Sequence, residues 1–179
     1  MKQPERLART IIYENPWVNL YVDKVRFPDG RIIEKHHLLD FEKEAVAALV
    51  ENSRGEILFV HAYRYTTGSI EWEIPAGGVD SGEDILQTAS REVLEETGYQ
   101  TIDHQLLYSY HPMNGISNKI FHIVRASATA GIGEFDRNEV KAIKWLAPAE
   151  VRQMIAERSI RDGFSLTALL LHFSGIVRE

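Results

Sequence analysis

Between residues 10 and 39 apolar and polar positions alternate, with Val18, Leu20 and Val22 set among polar neighbours. Phe27-Pro28-Asp29-Gly30 then turns the chain into Arg31-Ile32-Ile33. Period-two alternation around a Pro-Asp-Gly turn predicts a small antiparallel β unit. The apolar runs Ala45 to Val50 and Ile57 to Val60, joined by Asn52-Ser53-Arg54-Gly55, predict a hairpin with a buried strand. Glu71 to Pro75 predicts a further short strand, ended by Pro75 and by Gly77-Gly78, where the backbone can take positive φ. Ser81 with Asp84 three residues on reads as a capping box, and helix formers continue to Glu96 ahead of Gly98. This predicts a helix over 81–97 with Gly98 as its C-terminal cap. Strands follow near 102–110, 119–126 and 142–146, with a glycine-rich acidic loop from Gly131 to Glu139 and a helix from Pro148. Leu166, Leu169, Leu170 and Phe173 recur at helical spacing and predict a last helix packed on the core. The expected α/β architecture is a mixed β-sheet with helices on its faces, covering 43–179, preceded by an antiparallel β extension over 1–42.

Composition narrows the chemistry. A chain of 179 residues suits one domain with a small appendage. Lys+Arg total 20 against Asp+Glu 26, a net charge of -6, whereas a protein that neutralises a phosphate backbone carries the opposite balance. Nucleic acid is therefore not an expected partner. The absence of cysteine excludes thiolate nucleophiles and cysteine-bound zinc, so a metal must rest on carboxylates, histidines or backbone oxygens. The seven histidines show no metal spacing on a helix, and His36-His37 are expected at a surface or interface. The N-terminus lacks the apolar core of a signal peptide, and no stretch reaches the roughly 18 apolar residues of a membrane span. The expectation is a cytoplasmic protein without a membrane partner.

The segment Arg91-Glu92-Val93-Leu94-Glu95-Glu96 changes the picture. At about 100° per residue from Ile85, the stripe of Ile85, Leu86, Ala89 and Val93 is centred at about 55°. Glu96 then stands about 35° and Glu92 about 75° from that centre, Glu95 lies further round, and Arg91 is almost opposite. A solvated charged face is the usual reading of such a run. Here, however, two acids lean toward the core, where like charges cannot both ionise unless a cation sits between them. An all-oxygen site of this kind suits Mg2+ or Mn2+ rather than zinc.

Gly77, Glu83, Arg91, Glu92, Val93, Glu95, Glu96 and Gly98 match every fixed position of the pattern G-x5-E-x7-R-E-U-x-E-E-x-G-U, with Tyr99 at the final apolar place. The chain thus resembles the Nudix hydrolases. The resemblance implies an α/β/α sandwich in which this segment forms a loop-helix-loop beside a mixed sheet. It also implies hydrolysis of a diphosphate joined to another moiety, with a divalent metal. By position, Glu92, Glu95 and Glu96 would face the metal, Arg91 would orient Glu95, Glu83 would support or join the metal shell, and the carbonyl of Ala76 would be a further ligand. Such chemistry requires an activated water, which a metal supplies by lowering its pKa from 15.7 towards about 7, and charge neutralisation at the diphosphate.

Residues outside this pattern look like the ADP-ribose and nucleoside-diphosphate-sugar pyrophosphatase branch. They include Tyr63-Arg64-Tyr65, Glu71 to Gly77, His111 to Asn118, the N-terminal strand pair and Ile160-Arg161-Asp162-Gly163. Within that branch Arg64 would bind a substrate phosphate and Glu73 would contact substrate or the metal shell. Trp17 could stack on a base, but a buried core or dimer tryptophan is the first expectation. A catalytic base would come from the Gly131–Glu139 loop, with Glu139 first and Glu134 second; the chain departs from the branch at Ala142, where many relatives carry a further acid. The N-terminal β extension suggests a homodimer. The expected reaction is Mg2+-dependent hydrolysis of ADP-ribose, into AMP and ribose 5-phosphate, or of a related nucleoside diphosphate sugar, into a nucleoside monophosphate and a sugar phosphate. Rival readings are a GDP-mannose or nucleoside-triphosphate pyrophosphatase and a nucleotide-sensing Nudix module without catalysis.

Overall fold

A computed structural model describes residues 2–135 and 137–176, with the side chains of 130–132 left aside. Asp136 of the acidic loop, Met1 and residues 177–179 lie outside the described residues. Contacts divide the chain into two units, residues 1–44 with 110–120, and residues 45–109 with 121–179. Among the described residues no helix is long and apolar enough to cross a membrane.

The first unit is a three-stranded antiparallel sheet of β1 (Glu5–Tyr13), β2 (Asn19–Arg26) and β3 (Ile32–Asp40), in the order β1-β2-β3. Asp23 in the middle strand is 6% exposed, and it keeps its charge by a two-point pair with Arg9, both bonds 2.8 Å long. Residues 110–120 join this unit through bonds such as Leu39 N–H to Ile116 O at 2.8 Å. The chain segments that make the unit are thus discontinuous, which linear pattern alone does not convey.

The second unit contains β4 (Ala45–Glu51), β5 (Ile57–Arg64), β6 (Ser69–Glu73), β7 (Ala76–Gly78), β8 (Tyr99–Tyr110), β9 (Phe121–Ile132) and β10 (Val140–Leu146). Its helices are α1 (Ile85–Thr97), α2 (Pro148–Ala156) and α3 (Gly163–Ser174). The sheet runs β10-β5-β4-β9-β8, with β6 on β5 and β7 on β4. The run Ala45–Val50 is apolar without alternation because β4 is covered on both faces. Val46, Ala48 and Val50 meet Ala89 and Val93 of α1. On the opposite face, as strand alternation requires, Phe121 stacks on Phe164 of α3 with ring centres 4.1 Å apart. The result is an α/β/α arrangement around a mixed sheet.

Several expectations need correction. β4 and β5 form only a splayed hairpin, paired at Glu51 and Ile57, because β4 pairs in parallel with β9 and antiparallel with β7 instead. The capping box at Ser81 is absent. The helix begins at Ile85, and the Asp84 carboxylate, accepting from Leu86 N–H at 2.9 Å, is its N-cap. Gly77 and Gly78 lie in β7 without positive φ. The supposed start of the acidic loop belongs to β9, which runs to Ile132. Gly98 does cap α1 at φ 72°. It is fixed there twice, since a Cβ would stand 2.4 Å from Gly133 O, and Gly98 O accepts from Gly133 N–H at 2.8 Å. That contact ties the acidic loop to the end of the helix that carries Glu96.

Candidate active site

Packing decides how the α1 acids differ. Ala89 and Val93 are pulled against the sheet, and this rotation carries Glu96 inward until it is 8% exposed. The Glu92 side chain is 14% exposed and that of Glu95 56%. Glu96 Oε2 accepts from Ala76 N–H at 3.1 Å, a bond to charged oxygen that does not compensate the loss of water. Burial therefore pushes the Glu96 carboxyl up to about 8, with the Ala76 bond pulling it down and the charges of Glu92 and Glu139 among the groups that act on it. Glu92 is also raised by burial, against the opposing pull of Arg91.

Arg91 is the hub of this helix face. Its Nε and Nη2 donate to the two oxygens of Glu83 at 2.9 and 3.0 Å, and Nη2 also reaches Gly78 O at 3.2 Å. Its Nη1 stands 2.9 Å from both Glu92 Oε1 and Glu95 Oε2. Glu83 takes a further bond from Thr88 Oγ1 at 2.9 Å. Arg91 first, then Thr88, hold the Glu83 carboxyl down to about 2. Both Glu83 oxygens are thus engaged, which suits support of the neighbouring backbone better than direct ligation. Thr88, buried within α1, is a participant that the motif does not mark.

Gly77 closes the other side. Its position on β7, paired with Val46, brings the backbone so near α1 that a Cβ would stand 2.0 Å from Glu92 Cδ and Oε1. The glycine is needed for close approach rather than for a turn. Glu92, Glu95 and Glu96 then share an open cleft of about 450 Å³ with Glu134, Phe135 and Glu139. Both base candidates of the acidic loop accordingly face the same space as the helix acids.

A divalent metal fits this donor set. Glu92 and Glu96 are carboxylates lining one cleft whose proton affinity is raised first by burial, a cost that a bound cation would offset. Among the described residues no three acidic or imidazole groups are gathered into a metal cage, and Mg2+ suits such a place, since it is held by one or two carboxylates while keeping waters and substrate phosphates. The site is oxygen-only, in keeping with a chain without cysteine.

Arg64 and Glu73, expected as separate substrate contacts, are paired with each other. Arg64 Nε donates to both Glu73 oxygens at 3.1 and 2.9 Å, and Nη2 adds a third bond. Glu73 is buried, and a buried carboxylate requires such a hydrogen-bonded partner. A similar pair, Arg161 with Glu71, was not singled out by sequence reading, although Glu71 and Glu73 at alternate positions of one strand share a face. Trp17 belongs to the first unit and is 78% exposed, with Lys43 Nζ 5.9 Å from its ring. The expectation of a buried core tryptophan is therefore corrected: Trp17 sits in a turn after β1, where Asn15 Oδ1 accepts from the Trp17 and Val18 N–H groups.

Comparison with known proteins adds to this geometry. A family model described as NUDIX domain matches residues 42–165, and one described as nucleoside diphosphate sugar hydrolase N-terminal domain matches residues 5–39. The chain is 30% identical over 152 residues to an ADP-ribose pyrophosphatase of Mycobacterium tuberculosis, covering 83% of this chain and 72% of that one. It is 26% identical to an ADP-ribose pyrophosphatase of Bacillus subtilis, covering 93% and 91%. With a CMP-5'-(N-acetyl-N-hydroxy-3-aminopropyl)phosphonate hydrolase of Streptomyces rubellomurinus it shares 28% identity over 94% and 82%. A solved structure titled as an ADP compounds hydrolase superposes with TM-score 0.81 at 18% identity, covering 97% and 94%, which bears on the fold.

Proposed function

We propose, because this chain belongs to the Nudix family of hydrolases, that it cleaves the diphosphate of ADP-ribose or a related nucleoside diphosphate sugar into a nucleoside monophosphate and a sugar phosphate. The observation that carries the reading is that buried Glu96 and half-buried Glu92 line one cleft with Glu134 and Glu139. The sugar-nucleotide choice draws support from the match over residues 5–39 and from relatives named ADP-ribose pyrophosphatase.

In this reading Glu92 and Glu96 hold a divalent ion, with Ala76 O as a further ligand and Glu95 facing the same space. The ion, Mg2+ or in substitution Mn2+, supplies charge neutralisation at the diphosphate and an acidified water. Glu139, or Glu134 in its place, accepts the proton of the attacking water on a carboxylate oxygen. Arg91 holds the acids in register by bonding Glu83, Glu92 and Glu95 at once. Arg64 keeps Nη1 for a diphosphate oxygen while Nε and Nη2 stay on Glu73.

A panel of ADP-ribose, GDP-mannose, UDP-glucose, NADH and 8-oxo-dGTP with Mg2+ tests the assignment. AMP and ribose 5-phosphate from ADP-ribose is the expected result; preferred turnover of 8-oxo-dGTP points to the triphosphate rival, and no turnover of any compound removes the catalytic reading. The exposed apolar positions Ile11, Ile12 and Tyr13 of β1 support a homodimer formed through the N-terminal unit. Light scattering is expected to give twice the mass of the 20.4 kDa chain, and a strict monomer counts against it.

A further inference from the structure

A second cleft, of about 420 Å³, is enclosed by the β5–β6 hairpin and the first residues of α3. No aliphatic or aromatic side chain lines it; its walls are hydroxyl, carboxylate and guanidinium groups with Gly163. Two arginine–glutamate pairs dominate. Arg64 grips Glu73, and Arg161 grips Glu71 through Nε and Nη2. Each guanidinium therefore retains an Nη1 without a hydrogen-bond partner among the described residues. Asp162 uses Oδ2 to accept from Ser165 N–H and Oγ, both at 2.7 Å, and retains Oδ1. Thr67 and Ser69 add hydroxyls 2.7 Å apart.

Such walls select among the parts of a nucleoside diphosphate sugar. An aromatic ring or a large apolar side chain, the usual seat of a base, is absent from the lining of this cleft. Phosphate oxygens only accept, so the three carboxylates of the cleft repel them everywhere except at its Arg64 edge, whose Nη1 is the donor given above to the diphosphate. A sugar ring carries hydroxyls that donate and accept together, so carboxylates, guanidinium N–H groups and hydroxyls can all bond it. The cleft is also within reach of the diphosphate site. Glu73 precedes Ala76 by three residues, at most about 11 Å of chain, and Ala76 N–H bonds Glu96.

Resting on the pyrophosphatase reading, we infer that this cleft seats a sugar ring esterified to the diphosphate, and that the Glu71–Arg161 pair determines which sugar is accepted. The chemistry is shared by the nucleoside's own ribose and by the distal sugar. The Arg161 side of the pair is 66% exposed, against 11% for Glu71, so loss of the Arg161 side chain is expected to cost little stability. Recognition of hydroxyls is a role that these groups suit, since a site built to bond a hydroxyl rejects an analogue that lacks it.

The experiment measures kcat/KM for ADP-ribose, or whichever nucleoside diphosphate sugar is cleaved best, and for its two 2′-deoxy analogues, one altered in the nucleoside ribose and one in the distal sugar. Wild type, Glu71→Gln and Arg161→Ala are compared, with melting temperature as the check of folding. In wild type one analogue is expected to lose roughly tenfold or more. In the variants the parent substrate loses roughly tenfold and the penalty for that analogue falls below about threefold, because the bond it lacks is already gone. Whichever analogue behaves so identifies the sugar in the cleft. Equal penalties in wild type and variants, in normally melting proteins, overturn the subsite and leave the pyrophosphatase reading intact. Failure of wild type to cleave any nucleoside diphosphate sugar overturns that reading and the subsite together. Exposure of Arg161 makes Arg161→Ala compatible with folding, so a Glu71→Gln protein that fails to fold does not block the test.

Discussion

Glu96→Gln is expected to fold and to lose Mg2+-dependent turnover by roughly 10³-fold or more, the scale of removing a group that organises charge in a transition state. The same substitution has a second, independent signature. Glu96 has its carboxyl pushed from the usual 4.5 to about 8, first by burial. Between those values the folded metal-free protein binds a proton that the unfolded chain has released, so stability is fully present below about pH 4.5 and falls as pH rises through about 8. The steepest slope is about 1.4 kcal/mol per pH unit, or roughly 3–6 °C in Tm for a chain of this size. Glutamine carries no titrating proton. The EDTA-treated wild type should therefore lose Tm relative to Glu96→Gln between about pH 5 and 8, and Mg2+ should restore it in wild type alone. Parallel Tm profiles of the two proteins across this range would falsify the assignment of Glu96 as a desolvated metal-facing acid.

Gly77→Ala is expected to lower kcat/KM by roughly 10²-fold or more while the protein stays folded. The added methyl would meet the Glu92 carboxylate at 2.0 Å, and either the side chain swings away or β7 shifts on α1. Misplacement of a catalytic group by about 1 Å is enough for a loss of this size. Because the neighbour is the end of a glutamate side chain rather than backbone, the strain is relieved by moving Glu92, and the effect on Tm should be small beside the effect on activity. The metal concentration needed for half-maximal rate should rise in parallel, as one of two held carboxylates turns away. Ordinary turnover in Gly77→Ala, measured by release of AMP from ADP-ribose, would show that Glu92 does not need the place it occupies.

These two residues mark how far the sequence can be read. The angular position of Glu96 on α1 follows from Ile85, Leu86, Ala89 and Val93 alone, since helical periodicity fixes which residues share a face. The need for glycine at 77 is visible as part of a motif, but its reason is not. A positive φ was the natural expectation, and the structure shows an extended strand pressed against a carboxylate. Likewise Ser81 and Asp84 are both good N-caps in isolation, and the choice of Asp84 depends on where the helix is held by the sheet. Arg64 and Glu73 are nine residues apart, and their pairing is set by the register of β5 on β6. Nothing in linear spacing expresses that register.

Local rules, then, were sufficient for what repeats locally. Alternation and helix period were enough to show an antiparallel β unit near the N-terminus and the inward lean of Glu96 on α1, and the absence of cysteine excluded thiolate ligands. Tertiary structure decided what depends on groups distant in the chain. It joined residues 110–120 to the N-terminal unit, placed β4 beside β9 rather than fully beside β5, and brought Glu139 within electrostatic reach of Glu96. It also set Arg161 on Glu71, 90 residues away in sequence. The physical reason is that a residue's face follows from backbone geometry a few residues long, whereas burial, partner and proton affinity follow from whichever surfaces the whole chain brings together.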